Sequence, residues 1–187
     1  MAGSLTVTDN NTRIIWQGKH LDLVIRGTWE FVRRKNVTGI VCIVAITDEG
    51  RIVLVEQYRP PVASRVIELP AGLVGDLPGR ESEALETAAQ RELIEETGYD
   101  VAKMELLFDG VPSAGLCDEH ITFFLATGLT KVGPGGGDHS EDITVHEVPL
   151  DGLPAYLDGR VREGVKVDAK IFSPLYLLAK RFQRKEK

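Results

Sequence analysis

From Ala88 to Tyr99 the chain reads Ala-Ala-Gln-Arg-Glu-Leu-Ile-Glu-Glu-Thr-Gly-Tyr, a helix-forming run that carries three carboxylates within five positions. A helix advances about 100° per residue, so Glu92, Glu95 and Glu96 fall in one arc as i, i+3 and i+4 neighbours. Leu85, Ala89 and Leu93 form an apolar stripe beside that arc. The helix must therefore lie with one side on packed structure and its acidic edge at the border of that packing. Few folds satisfy both demands at once.

Two unit charges about 5–6 Å apart repel by roughly 3 kcal/mol at an effective dielectric near 20. A divalent cation would reverse the local field, and an oxygen-only donor set suits magnesium, with manganese as a substitute, far better than zinc. The alternative is an ordinary charged helix edge in which Arg91 neutralises Glu95 at i+4.

The 187 residues, 43% of them hydrophobic, suffice for one globular domain with a substantial core. A net charge of −6 argues against binding a nucleic-acid backbone, which calls for a basic face. An anionic substrate would need cations gathered locally. Cys42, in an apolar run, and Cys117, in a polar loop, provide neither a disulfide framework nor metal-ligand spacing. Neither a leader-like N-terminus nor an apolar run of about 18 residues is evident. The expectation is a cytoplasmic protein without membrane contact.

Taken in order, residues 14–16, 21–25 and 28–32 read as short strands separated by turns at Gly18 and Gly27. So small a set cannot bury both faces and must pack on the main domain or on a second subunit. Residues 39–46 and 52–59 flank Asp48-Glu49-Gly50 as a hairpin whose first strand is buried on both sides, and Pro60-Pro61 ends it. A further strand, 66–69, leads into Pro70-Ala71-Gly72. Ser82 suits an N-cap, Glu83 and Glu86 the first helical turn, and Gly98 a C-terminal stop. Residues 103–108, 121–129 and 143–148 read as strands, and the glycine-rich stretch 133–142 as a loop able to move. Segments 153–158 and 168–184 look helical, the second broken or begun near Pro174. Mixed strands with two or three helices give an α+β class or an α/β/α sandwich.

Glu83, seven residues, and then Arg91-Glu92-Leu93-Ile94-Glu95-Glu96-Thr97-Gly98-Tyr99 resemble the Nudix box, Gx5Ex7REUxEExGU. The right-hand part fits at every fixed position. The glycine, Gly72, lies eleven residues before Glu83 instead of six, which reads as a five-residue insertion rich in turn chemistry within 73–80. Together with Trp29-Glu30, residues 55–61 (Val-Glu-Gln-Tyr-Arg-Pro-Pro), Glu68-Leu69-Pro70-Ala71-Gly72 and Glu141-Asp142-Ile143, the box is similar to the ADP-ribose pyrophosphatase branch of the Nudix superfamily. The resemblance implies an α+β Nudix fold, an α/β/α sandwich with a mixed sheet. It also implies a homodimer, residues 1–36 forming a dimerisation subdomain of strands and 37–187 the hydrolase domain.

Residue by residue, the resemblance places Mg2+ (or Mn2+) on Glu92, Glu96 and the Ala71 carbonyl, with Glu95 close by and Arg91 orienting Glu95. It places Arg59, with Glu56 beside it on the same strand, at the substrate phosphates, the alternative for Arg59 being a surface strand-end arginine. Trp29 and Trp16 resemble aromatics that sandwich a nucleotide base, one from each subunit, and the alternative for each, above all for Trp16, is a core tryptophan. For the general base the resemblance offers Glu141 first, His139 second and Glu119 third.

The implied reaction is magnesium-dependent hydrolysis of the diphosphate of ADP-ribose or a related nucleoside diphosphate sugar to a nucleoside monophosphate and a sugar phosphate. Ala114 stands sixteen residues after Gly98, where the ADP-ribose branch usually has proline. ADP-glucose and GDP-mannose therefore stay open as substrates. A non-catalytic nucleotide-sugar sensor and a scaffold using the helix only structurally are the remaining alternatives.

Overall fold

A computed structural model describes residues 11–137 and 141–185, with side chains of the last helix described to Ala179. Strands β1 (Thr12–Gln17), β2 (Leu21–Arg26) and β3 (Trp29–Arg34) form a separate antiparallel sheet in that order. It buries Val24 and Phe31 and leaves Ile14, Ile15, Trp16, Leu21 and Trp29 exposed. Trp16, 61% exposed, is therefore no core tryptophan within this subunit; its ring lies over Gly18.

Eight strands make the main sheet: β4 (Gly39–Ile46), β5 (Arg51–Arg59), β6 (Ser64–Glu68), β7 (Ala71–Val74), β8 (Tyr99–Gly110), β9 (Ile121–Lys131), β10 (Thr144–Pro149) and β11 (Lys166–Val167). The path runs β11-β6-β5-β4-β9-β8, with β10 on β5 and β7 on β4. The β4–β9 and β6–β11 pairs are parallel and the rest antiparallel, so the sheet is mixed.

The hairpin expected at Asp48-Glu49-Gly50 closes, but β4 and β5 stay paired only at Ala45↔Val53 and Ile46↔Ile52. Beyond that they splay. β4 turns to β7 and β9, and β5 to β6 and β10, because β4 is apolar on both faces and must be enclosed on both. Val41, Ile43 and Ala45 pack with Ala88, Ala89 and Leu93 of helix α1 (Leu85–Thr97). Cys42 and Val44 face the other way, toward Leu153 and Leu157 of α2 (Leu153–Arg162) and Leu178 of α3 (Phe172–Lys185). The strand's period of two thus divides the core between two helical layers, giving the α+β sandwich with a mixed sheet that the resemblance implies.

Ser82 does not cap the helix. Backbone hydrogen bonds from Arg80 to Leu77 and from Glu83 to Arg80 turn the chain until Ala84, which is the extended N-cap residue and has no side-chain cap. Residues 71–74, just after the strand expected at 66–69, pair with β4 as a further strand, β7. Gly98 ends α1 in the left-handed region, as expected, at φ 73°. Pro174 sits in the first turn of α3, where its missing N–H costs little. Among the described residues no helix is long and apolar enough to cross a membrane.

Candidate active site

A cleft of about 700 Å³ opens where the acidic edge of α1 meets β7 and the loops at the same end of the sheet. It gathers Glu92, Glu95, Glu96, Ala71, Glu119 and Glu141. The cations Arg34, Arg59 and Lys170 line the same space.

The close approach of α1 to β7 explains Gly72. A Cβ there would lie 1.9 Å from Glu92 Cδ, so only glycine lets the carboxylate sit against the strand. Arg91, nearly buried, then ties the edge together. Its guanidinium donates to Glu92 at 2.7 Å, to Glu95 at 3.2 Å, to Glu83 at 3.2 Å and to the Leu73 carbonyl at 3.2 Å. Glu83 thus joins the box constellation despite the five added residues, which loop outward between Gly72 and the helix. Arg91 orients three carboxylates, not Glu95 alone. The insertion also brings Asp76 and Leu77 to the cleft wall.

Glu96 is 4% exposed and accepts a hydrogen bond from the Ala71 amide at 3.0 Å. Burial pushes its carboxyl well above the usual range; the amide opposes that rise, and the charges of Glu92 and Glu141 add to it. Burial likewise lifts Glu92 to about 7, against Arg91 and with Glu95 and Asp76 contributing. These are oxygen donors held where a positive charge is wanted, which fits a hard divalent ion. Among the described residues no three acidic, His or Cys groups converge tightly enough to enclose an ion alone. Magnesium suits such a set, since it keeps waters and takes substrate oxygens beside one or two carboxylates.

The other expected residues divide. Arg59 reaches the cleft, its Nε donating to Glu68 at 2.7 Å. Glu141 reaches it too, folded back so that a Cβ on Gly137 would lie 2.3 Å from its Oε2. Glu119 lines the cleft as well, and Arg34 donates to it at 2.8 Å. His139 lies outside the described residues. Trp29 and Trp16 are exposed on the N-terminal sheet and do not line the cleft of this subunit. Glu56, expected beside the substrate, is 3% exposed behind the cleft and accepts from Arg65 at 2.8 Å and Arg160 at 2.5 Å, with His146 at 3.1 Å. Burial raises its carboxyl, and the two arginines outweigh that and hold it below the usual range.

Two cations escaped the sequence reading. Lys170, paired with Asp168, arrives from a short 3-10 turn (Ala169–Ile171) far along the chain. Arg34 arrives from β3. The loop at 111–120 is laddered to that strand: the Val32 amide donates to Leu116 at 2.8 Å, Arg33 to Asp118 at 2.8 Å, and Trp29 Nε1 to Gly115 at 3.3 Å. Neither position has a local signal, because each becomes part of the site only through tertiary pairing.

Residues 37–166 match the NUDIX domain model. The chain is 39% identical over 120 residues to a methanol dehydrogenase activator of Bacillus methanolicus, covering 64% of this chain and 62% of that one. It is 33% identical over 153 residues to the ADP-ribose pyrophosphatase of Bacillus subtilis, covering 78% and 80%. It is 34% identical over 125 residues to a GDP-mannose pyrophosphatase of Pectobacterium atrosepticum, covering 62% of each. The first and third matches span less than two thirds of those relatives. The crystal structure of an ADP compounds hydrolase superposes with a TM-score of 0.71 at 21% identity over 95% of both chains, a likeness of fold. Nudix enzymes typically use divalent metal ions, in keeping with the carboxylate edge described above. With the domain model matching well over half its length and the box residues gathered around one cleft, the chain belongs to the Nudix family.

Proposed function

We propose that the protein hydrolyses the diphosphate linkage of ADP-ribose or a closely related nucleoside diphosphate sugar, in a divalent-metal-dependent reaction that gives a nucleoside monophosphate and a sugar phosphate. The observation that carries this reading is the gathering, in one cleft, of an acidic edge (Glu92, Glu95, Glu96) and three cations (Arg34, Arg59, Lys170). The acids suit metal and the cations suit phosphate oxygens.

In this reading Glu92, Glu96 and the Ala71 carbonyl would hold the ion, with Glu95 beside them. When bound, the ion neutralises phosphate charge and acidifies water. Arg59 and Lys170 hold the diphosphate oxygens and fix its direction across the cleft. Glu141 takes a proton from the attacking water as its oxygen bonds to phosphorus. The bridging P–O bond breaks, and the second phosphate leaves with its electron pair. Glu119, which accepts from Arg34 at 2.8 Å, and His139 are the other candidates for the base.

GDP-mannose is kept as a second substrate by a specific observation: Ala114 replaces the proline usual in the ADP-ribose branch, and a GDP-mannose pyrophosphatase is among the relatives. ADP-ribose, ADP-glucose and GDP-mannose incubated with the protein and Mg2+ should each be assayed for monophosphate release. We expect ADP-ribose or one of its analogues to turn over, with EDTA abolishing the activity. Tight binding of a nucleotide sugar without turnover of any would replace the enzyme by a sensor.

We also propose a homodimer formed through the N-terminal sheet. A second copy would cover some of Ile14, Ile15, Trp16 and Trp29, large apolar side chains that this subunit leaves exposed across the two faces of the small sheet. Light scattering should give twice the 20.6 kDa chain mass, and the double substitution Ile14→Asp and Trp16→Asp should return monomers. A wild-type monomer at micromolar concentration would exclude this arrangement.

A further inference from the structure

The structure assigns Arg65 and its anchor Glu56 to a positioning role: by gripping Asp142 they hold the backbone of the neighbouring Glu141 at the cleft. This rests on the proposed reaction, in which Glu141 accepts the proton.

The anchorage has two sides. On the far side, Arg65 Nε donates to Glu56 Oε1 at 2.8 Å and Nη2 to the Glu56 carbonyl at 3.1 Å. That fixes the guanidinium against a buried strand. The same guanidinium then reaches out to Asp142 Oδ2 at 3.0 Å, the Asp142 carbonyl at 3.4 Å and Thr144 Oγ1 at 3.3 Å. Its planar fork allows one side chain to serve the strand and the loop together. Arg160 and His146 hold Glu56 from the other side, so the base of the grip is itself fixed.

On the near side, Gly135 to Gly137 of the glycine-rich stretch are docked on the end of α1. Gly136 N–H donates to the Glu96 carbonyl at 2.8 Å and Gly137 N–H to the Glu95 carbonyl at 3.0 Å. These satisfy carbonyls that the end of α1 leaves open. Gly135, at φ +71°, would place a Cβ 2.4 Å from the Thr97 carbonyl carbon, so the stretch lies flat on the helix end only as glycine. Glu141 therefore stands between a strap fastened to the helix that carries Glu96 and a clamp fastened to β5 and β6. The clamp sits on the very next residue.

Arg65→Met keeps the stem and removes the grip. Asp142→Ala releases the same contact from an 87% exposed side chain, with no buried charge disturbed. Both should lower kcat roughly tenfold with KM little changed, since a misplaced base costs rate more than binding. Arg65→Lys should restore part of the loss. In a Glu141→Gln background neither substitution should lower kcat further, because the effect passes through that one carboxylate. Hydrogen exchange at Thr144 and Val145, where β10 begins its pairing with Glu56 and Val55, should accelerate at least about tenfold in Arg65→Met, independently of activity. Unchanged exchange, or a loss of rate that adds fully to that of Glu141→Gln, would overturn the clamp. Full activity in Glu141→Gln would instead remove the general-base assignment, and the exchange data would still judge the clamp.

Discussion

Glu96→Gln is expected to cut turnover by on the order of a thousandfold or more, about 4 kcal/mol of transition-state stabilisation. The substitution changes one oxygen to nitrogen at a side chain that is 4% exposed and already fastened to the Ala71 amide. Shape and burial survive, but the negative charge does not. In metal-free buffer the melting temperature should not fall, because that charge sits against burial and against Glu92 and Glu141. In wild type, added Mg2+ should raise the melting temperature through binding to the folded state, and this rise should shrink in the variant. Turnover close to wild type would mean that Glu96 is not a metal ligand. A collapse in melting temperature would make its role structural.

Arg91→Met is expected to act in the opposite order, on stability first. The guanidinium is only 11% exposed and serves Glu83 and Glu92, themselves 6% and 13% exposed, as well as the half-exposed Glu95. Removing it strands the nearly buried Glu92 and leaves Glu83 with Arg80 alone, which donates to it at 3.1 Å, and breaking such a network from one side costs about 3–5 kcal/mol. Neutralisation of Glu92 by proton uptake would offset part of this. Chemical denaturation should show the midpoint falling at an unchanged slope, and Mg2+ should recover some of the loss. Arg91→Lys should recover little, since an ammonium cannot span three carboxylates and the Leu73 carbonyl. A loss below about 1 kcal/mol would reduce Arg91 to a surface partner of Glu95.

What the sequence made legible follows from range. Glu92, Glu95 and Glu96 are neighbours by helical arithmetic alone, and β4 betrays its double burial by its unbroken apolar run. Glu83 was harder, because the insertion breaks the spacing while tertiary contact with Arg91 restores the pairing. Ser82 has a capping side chain, yet the turns around Arg80 leave the cap to Ala84. Glu56 lies three residues from Arg59 on one strand, which puts the two side chains on opposite faces: one looks into the cleft and the other into a buried ion cluster. Lys170 and Arg34 enter the site from its two distant ends in the chain, and no window of local sequence contains both them and α1. The glycines at 135–137 read as freedom of movement; their positive φ angles instead serve a close fit against the end of a helix.

The ladder from β3 to the loop at 111–120 bears on where this chain can be cut. The stretch matching the family model begins at Val37, and a fragment starting there would keep every box residue, both cores and all eight strands of the main sheet. It would lose Arg34, and with it the partners that hold Asp118, Glu119 and the Leu116 carbonyl. The recognisable hydrolase unit and the working cleft thus have different borders. The N-terminal sheet, which contributes no residue to the box, is one of the cleft's retaining walls.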